Sequence, residues 1–197
     1  MEYRLSKEQL FEALEQWNRR LKRKVHLIAC GGTAMTLLGI KASTKDVDFI
    51  APVVTEYNYL TRNLREMGYE KVTQSGWQRK GEIFQFDIFP GANIHTTGLL
   101  ASPLEPGRHS LLKEYSHLYI GILNYYDLIC SKLMRGTRVD FEDCLALAES
   151  RISEIDVDHL VEQYREMIRY DIAELRLAPH MDHFLELLRE RGLYEPQ

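Results

Sequence analysis

The stretch His26-Leu-Ile-Ala-Cys-Gly-Gly-Thr-Ala-Met-Thr-Leu-Leu-Gly-Ile-Lys-Ala-Ser-Thr-Lys-Asp-Val-Asp-Phe-Ile50 decides how the chain folds. The apolar run Val25 to Ala29 predicts a buried strand. Gly31-Gly32 breaks it, and an apolar helical run follows from Thr33 to Ile40. After a polar loop, Asp46-Val47-Asp48-Phe49-Ile50 predicts a second strand that begins with two carboxylates. Two glycines after a strand let the backbone turn tightly and approach a ligand closely. The next helix points N–H groups and a partial positive charge at that ligand, which suits phosphate. Strand alternation puts Asp46 and Asp48 on one face and Val47 and Phe49 on the other. Two carboxylates on one face beside a phosphate site are suited to Mg²⁺.

Upstream, Ser6-Lys7-Glu8-Gln9 has the pattern of a capping box with Ser6 as N-cap. Leu10, Phe11, Leu14, Trp17 and Leu21 then recur at helical spacing and predict a helix over about residues 7–23. It ends in a basic cluster, Arg19, Arg20, Lys22, Arg23 and Lys24. Such a run reads either as a solvated helix end whose cations complement the dipole, or as an RNA or triphosphate contact. His26 is assigned no role.

Downstream, Ala51-Pro52 ends the second strand, and Glu56 to Met67 predicts a helix closed by Gly68. Tyr69 to Thr73 predicts a short strand, and Ser75-Gly76 a turn. Ile83 to Phe89 is a clear strand, with Phe84, Phe86 and Ile88 on its buried face and Ile83, Gln85, Asp87 and Phe89 opposite. An Asp among aromatic residues is costly unless it has a cation or donors; the plain alternative is an edge-strand Asp facing water. Residues 92–117 predict mostly loops with one strand near Thr97–Leu100, and Leu118 to Ile122 another strand.

From Asn124, a candidate N-cap, the composition turns helical. Helices are expected over Tyr125–Met134, Asp140–Ala148, Val157–Met167, Tyr170–Leu177 and Met181–Arg191. The expected division is an α/β core over 1–122 and a helical region over 123–197. Asp140 is a candidate N-cap and Asp143 a first-turn carboxylate, while Lys132 and Arg135 read as solvated cations or as functional ones.

The 197 residues suit one domain with an appendage or two small ones. No uncharged apolar run approaches the roughly 20 residues a membrane helix needs, so no membrane is expected. The N-terminus lacks a signal-peptide core. Three widely spaced cysteines, Cys30, Cys130 and Cys144, point to a reducing cytoplasm, with neither a disulfide framework nor a zinc site. A net charge of −4 argues against wholesale coating of nucleic acid and leaves room for a local basic patch.

The ordered combination Gly31-Gly32-Thr33 and Asp46-Val47-Asp48 resembles the signature of the polymerase-beta-like nucleotidyltransferase superfamily. Ala34, Leu37 and Thr44 extend the likeness to the small prokaryotic branch that includes the AbiEii-type toxins. Lys132, followed by Arg138 and Asp140-Phe-Glu-Asp143, is similar to a further pattern of that branch.

The resemblance implies an α+β nucleotidyltransferase fold, a small mixed β-sheet flanked by helices, with a helical C-terminal half. It implies transfer of NMP from an NTP to a hydroxyl acceptor. Asp46, Asp48 and Asp87 would hold Mg²⁺ or Mn²⁺. Gly31, Gly32, Thr33 and Lys132 would hold the nucleotide, and Asp140 and Asp143 would hold the helices or face the cleft. Acceptors in the family include tRNA, other RNA, protein hydroxyls and small molecules. The toxin-like branch tilts the expectation toward RNA and a cognate antitoxin. The rival readings are a catalytically silent nucleotide-binding or regulatory module, and an interaction protein working through its C-terminal helices.

Overall fold

The structure, a computed structural model, describes residues 5–82, 84–169 and 171–195. The chain divides into two compact units, Met1–Asn124 and Tyr125–Gln197. No helix among the described residues is long and apolar enough to cross a membrane.

The first unit runs α1 (Lys7–Arg20), β1 (Val25–Ala29), α2 (Gly31–Leu37), β2 (Val47–Ala51), α3 (Val54–Glu66), β3 (Tyr69–Lys71), β4 (Gly76–Arg79), β5 (Phe86–Pro90), β6 (Asn93–Ile94), β7 (Thr97–Gly98), β8 (His109–Glu114) and β9 (Leu118–Leu123). Seven strands form one sheet in the order β3-β4-β5-β2-β1-β9-β8, and β6 and β7 pair separately. β1 runs parallel to β9 and β2 parallel to β5, while the other neighbours are antiparallel. This is the expected mixed sheet flanked by helices.

Every residue of β2 is buried, as are Val25 and Leu27 to Ala29 of β1, because the central strands are covered on both faces. α1 begins at the expected capping box: Ser6 Oγ accepts from Gln9 N at 3.4 Å, and the Gln9 side chain accepts from Ser6 N at 3.0 Å. It stops at Arg20, short of the predicted end, because Leu21 is extended (ψ 147°) and buried. Trp17 packs on Phe86 with ring centroids 4.4 Å apart and donates its indole N–H to the Tyr69 hydroxyl at 3.2 Å.

Three strand expectations are corrected. β2 begins at Val47, so Asp46 lies in the loop that approaches it. β5 begins at Phe86, which leaves Phe84 and Gln85 outside the strand, and Ile83 lies outside the described residues. β4, β6 and β8 were not expected at all. β8 is the sheet's outer strand and mostly exposed, so His109-Ser-Leu-Leu-Lys-Glu114 carries no clean alternation.

The second unit is helical: α4 (Tyr125–Arg135), α5 (Arg138–Arg151), a short 3-10 turn at Ile152–Glu154, α6 (Val157–Arg169) and α7 (Glu174–Glu190). The N-cap of α5 is Thr137, not Asp140; Thr137 Oγ1 accepts from Asp140 N, and the Asp140 carboxylate closes the box from the third helical position. The two expected terminal helices are one helix containing Pro179; Tyr170, the expected start of the first, lies outside the described residues. A proline frees the carbonyl four residues before it. That residue is Leu175, 94% exposed, so water can take up the lost bond.

Candidate active site

The Gly31 turn and the start of β2 are built against each other. Gly31 has φ +55°, in the left-handed region that favours glycine. A Cβ there would run into Asp48 Oδ2 and stand 3.1 Å from its Cγ. Glycine is therefore required twice, for the backbone conformation and for the room the carboxylate occupies. α2 starts at this residue and not after the glycine pair as expected, and its first helical bond runs from Ala34 N to Cys30 O at 3.0 Å. The amides of Gly31 and Gly32 precede that bond, where helical N–H groups point outward along the axis.

Threonine hydroxyls clamp the carboxylate segment. Thr33, fully buried, accepts from Asp48 N at 2.8 Å and donates to Asp46 O at 3.2 Å. Thr44 Oγ1 donates to the same carbonyl at 2.7 Å. Cys30 N donates to Asp48 O at 3.2 Å. The Thr33 hydroxyl is thus engaged with the β2 backbone, where it fixes the aim of the two aspartates.

Asp48 and Asp87 are register partners on the parallel pair β2 and β5. Paired residues on neighbouring strands, about 4.8 Å apart, share a face. Each aspartate is 7% exposed, whereas Asp46 is exposed. Asp87 is held at both oxygens: Ser75 Oγ donates to Oδ1 at 2.7 Å, and Gln85 Nε2 donates to Oδ2 at 3.0 Å. These neutral donors answer the cost of burying a carboxylate without cancelling its charge. Beside Asp87 opens a cavity of ≈ 730 Å³, lined among others by Tyr57, Ser75, Gln85, Phe89 and His95. His95 has φ +52°, and its ring stands edge-on to Phe89 at 4.6 Å.

No family model matches the chain, and no curated protein sequence matches it. Among solved structures, a protein of Thermotoga maritima provisionally assigned as a nucleotidyltransferase is similar, with 15% identity, TM-score 0.48, and 73% of this chain and 94% of that one covered. An antigenic nucleotidyltransferase-like protein from Paracoccidioides brasiliensis is similar at 14% identity and TM-score 0.49, with 96% and 92% covered. ANT(2″)-Ia in complex with adenylyl-2″-tobramycin is similar at 14% identity and TM-score 0.41, with 94% and 95% covered. Every one of these scores is below 0.5.

Asp48 and Asp87 form a site with oxygen donors only, the preference of a hard divalent cation. Among the described residues, no group of three His, Cys, Asp or Glu side chains stands ready to hold a metal by itself. Mg²⁺ is commonly held by one or two carboxylates together with substrate phosphates. The Asp48–Asp87 pair beside the Gly31 turn fits a cation of that kind.

Lys132 belongs to the second unit. Its ammonium is 2% exposed, 2.6 Å from Asp143 Oδ2 and 3.8 Å from Asp140 Oδ1, and Arg135 reaches Asp140 at 2.5 Å. These contacts tie α4 to α5. Ser75 and Gln85 were not legible as site residues, since neutral side chains carry no recognisable motif. One signal was available: an Asp on an apolar strand must find donors.

Proposed function

We propose that the protein is a Mg²⁺-dependent nucleotidyltransferase that moves NMP from an NTP to a hydroxyl acceptor. The observation that carries this reading is the in-register pair Asp48–Asp87, with the Asp48 carboxylate lying against the Gly31 turn. Asp48, Asp87 and the exposed Asp46 would hold the metal with the nucleotide's phosphates. Bound there, the metal would supply charge neutralisation for attack on the α-phosphorus. The amides of Gly31 and Gly32 face the triphosphate. Thr33 contributes by holding Asp46 and Asp48 in place. Asp87, oriented by Ser75 and Gln85, borders the cavity through which an acceptor hydroxyl would enter, and is the group able to receive its proton. Pyrophosphate is the leaving group.

RNA is the acceptor class to test first. A toxin role and a cognate antitoxin stay with the sequence resemblance, and nothing in the site adds to them. The test incubates the protein with Mg²⁺, each labelled NTP and total RNA. Asp48→Asn and Asp46→Asn/Asp48→Asn are expected to lower label transfer by about a hundred-fold or more, since charge neutralisation of this kind is worth several kcal/mol. Unchanged transfer by variants that melt like the parent would remove the assignment.

A further inference from the structure

The basic run Arg19 to Lys24 takes no part in this site, and the structure sorts its members. Arg19 pairs with Glu15 at 2.8 Å, and Lys24 with Glu114. Arg20, Lys22 and Arg23 instead line an open groove of ≈ 550 Å³, to which α3 contributes Tyr59, Arg62 and Asn63. All four cations are exposed, and among the described residues no carboxylate pairs with any of them. Glu66 is the one acidic residue in the lining. The adjoining recess also holds arginines, but there Arg19 is answered by Glu15 and Arg79 by Glu82. Four uncompensated cations are therefore gathered in one groove of a chain whose net charge is −4. Its geometry is fastened: Lys22 N donates to the Tyr59 hydroxyl at 2.7 Å, and the Arg23 guanidinium lies 5.7 Å from the centre of the Tyr59 ring.

Three of the four cations are arginines, whose planar fork matches phosphate oxygens in pairs. All four are exposed and line an open groove, not a buried pocket, which suits a chain of phosphates better than a single enclosed one. α1 packs through Trp17 on Phe86, whose side chain leaves β5 on the face opposite its neighbour Asp87. The sheet therefore stands between α1 and the Asp87 carboxylate. A small acceptor beside Asp87 would leave these cations unused, whereas a polymer can reach both.

We propose that the groove between α1 and α3 binds the phosphodiester backbone of a nucleic-acid strand and holds a polymeric acceptor away from its reacting end. The word acceptor rests on the transferase reading; the binding itself does not. Fluorescence anisotropy with a labelled oligouridylate, without NTP, tests it. Four single-strand phosphate contacts predict a slope of log affinity on log salt near −2.8, or roughly fifty-fold weaker binding from about 50 to about 200 mM salt. Arg20→Gln/Arg23→Gln/Arg62→Gln, with an unchanged melting curve, is expected to bring the slope to about −0.7. The already paired Arg19→Gln should leave it unchanged. If the triple variant fails to fold, Arg62→Gln alone should reduce the slope by about 0.7. Absence of binding by the parent, an unchanged slope in the variants, or equal displacement of the strand by polyglutamate would overturn the proposal. Strand binding without label transfer to any acceptor would instead count against the transferase reading and leave the groove intact.

Discussion

Gly31 and Asp48 show how much one missing side chain can carry. The turn needs a positive φ, and the carboxylate fills the place where a Cβ would stand. Gly39 separates these two demands, since it has φ +76° but nothing within 4 Å of its Cβ position. Gly31→Ala and Gly39→Ala should therefore share a backbone strain of roughly 1–3 kcal/mol in urea unfolding. Only Gly31→Ala should also abolish label transfer, by displacing Asp48. Equal activity in the two variants would show that the turn does not aim the carboxylate. At this scale the sequence was legible where a residue type has one main use. Gly-Gly and Asp-x-Asp announce themselves, while Ser75 and Gln85 acquire a role only by standing next to Asp87.

Helices α4 and α5 are joined by charges that are almost wholly buried. Lys132 is 2% exposed and lies 2.6 Å from Asp143. Removing the ammonium takes away the charge that Asp143 faces at 2.6 Å, in a medium that solvates a carboxylate poorly. Lys132→Met is expected to cost about 3–5 kcal/mol in denaturant unfolding, and Lys132→Met/Asp143→Leu clearly less. Equal losses in the single and double variants would mean that the pair is not what ties the helices. Helix starts were readable because caps are local: Ser6 and Gln9 behave as their spacing requires. Thr137 has the same role in α5, where Asp140 is an equally plausible cap by residue type, since both residues can cap. The outer strand β8 was not readable, because a strand with one neighbour and little burial has no period to display.

For the whole molecule, burial sets the response to alkali. Burial is the largest influence on the Cys144 thiol and raises its pKa well above the ordinary 9.0; Lys132 opposes this, and Asp140 and Asp143 add to it. Burial likewise raises the Tyr69 hydroxyl above 10.0, with the Trp17 hydrogen bond opposing. In both cases the folded state holds the proton more tightly than the unfolded chain. The stability contributed is complete below the ordinary values and is lost as pH rises past them. The urea midpoint should stay flat from about pH 7 to 8 and fall progressively above about pH 9. A midpoint still unchanged at about pH 10.5 would contradict the burial of these groups.

The sequence by itself determined what depends on neighbours along the chain. The strand–turn–helix around Gly31, the Asp46–Asp48 spacing, the capping box at Ser6 and the helical second half all follow from local hydrogen bonds and periodicity. Tertiary structure alone decided which distant groups meet. It set Asp48 beside Asp87, gave Asp87 its two donors, paired Lys132 with Asp143, and brought Arg62 to the uncompensated members of the basic run. The reason is physical. Strand order, register and burial arise from packing across space, and a charge becomes a site or a brace according to what that packing leaves around it.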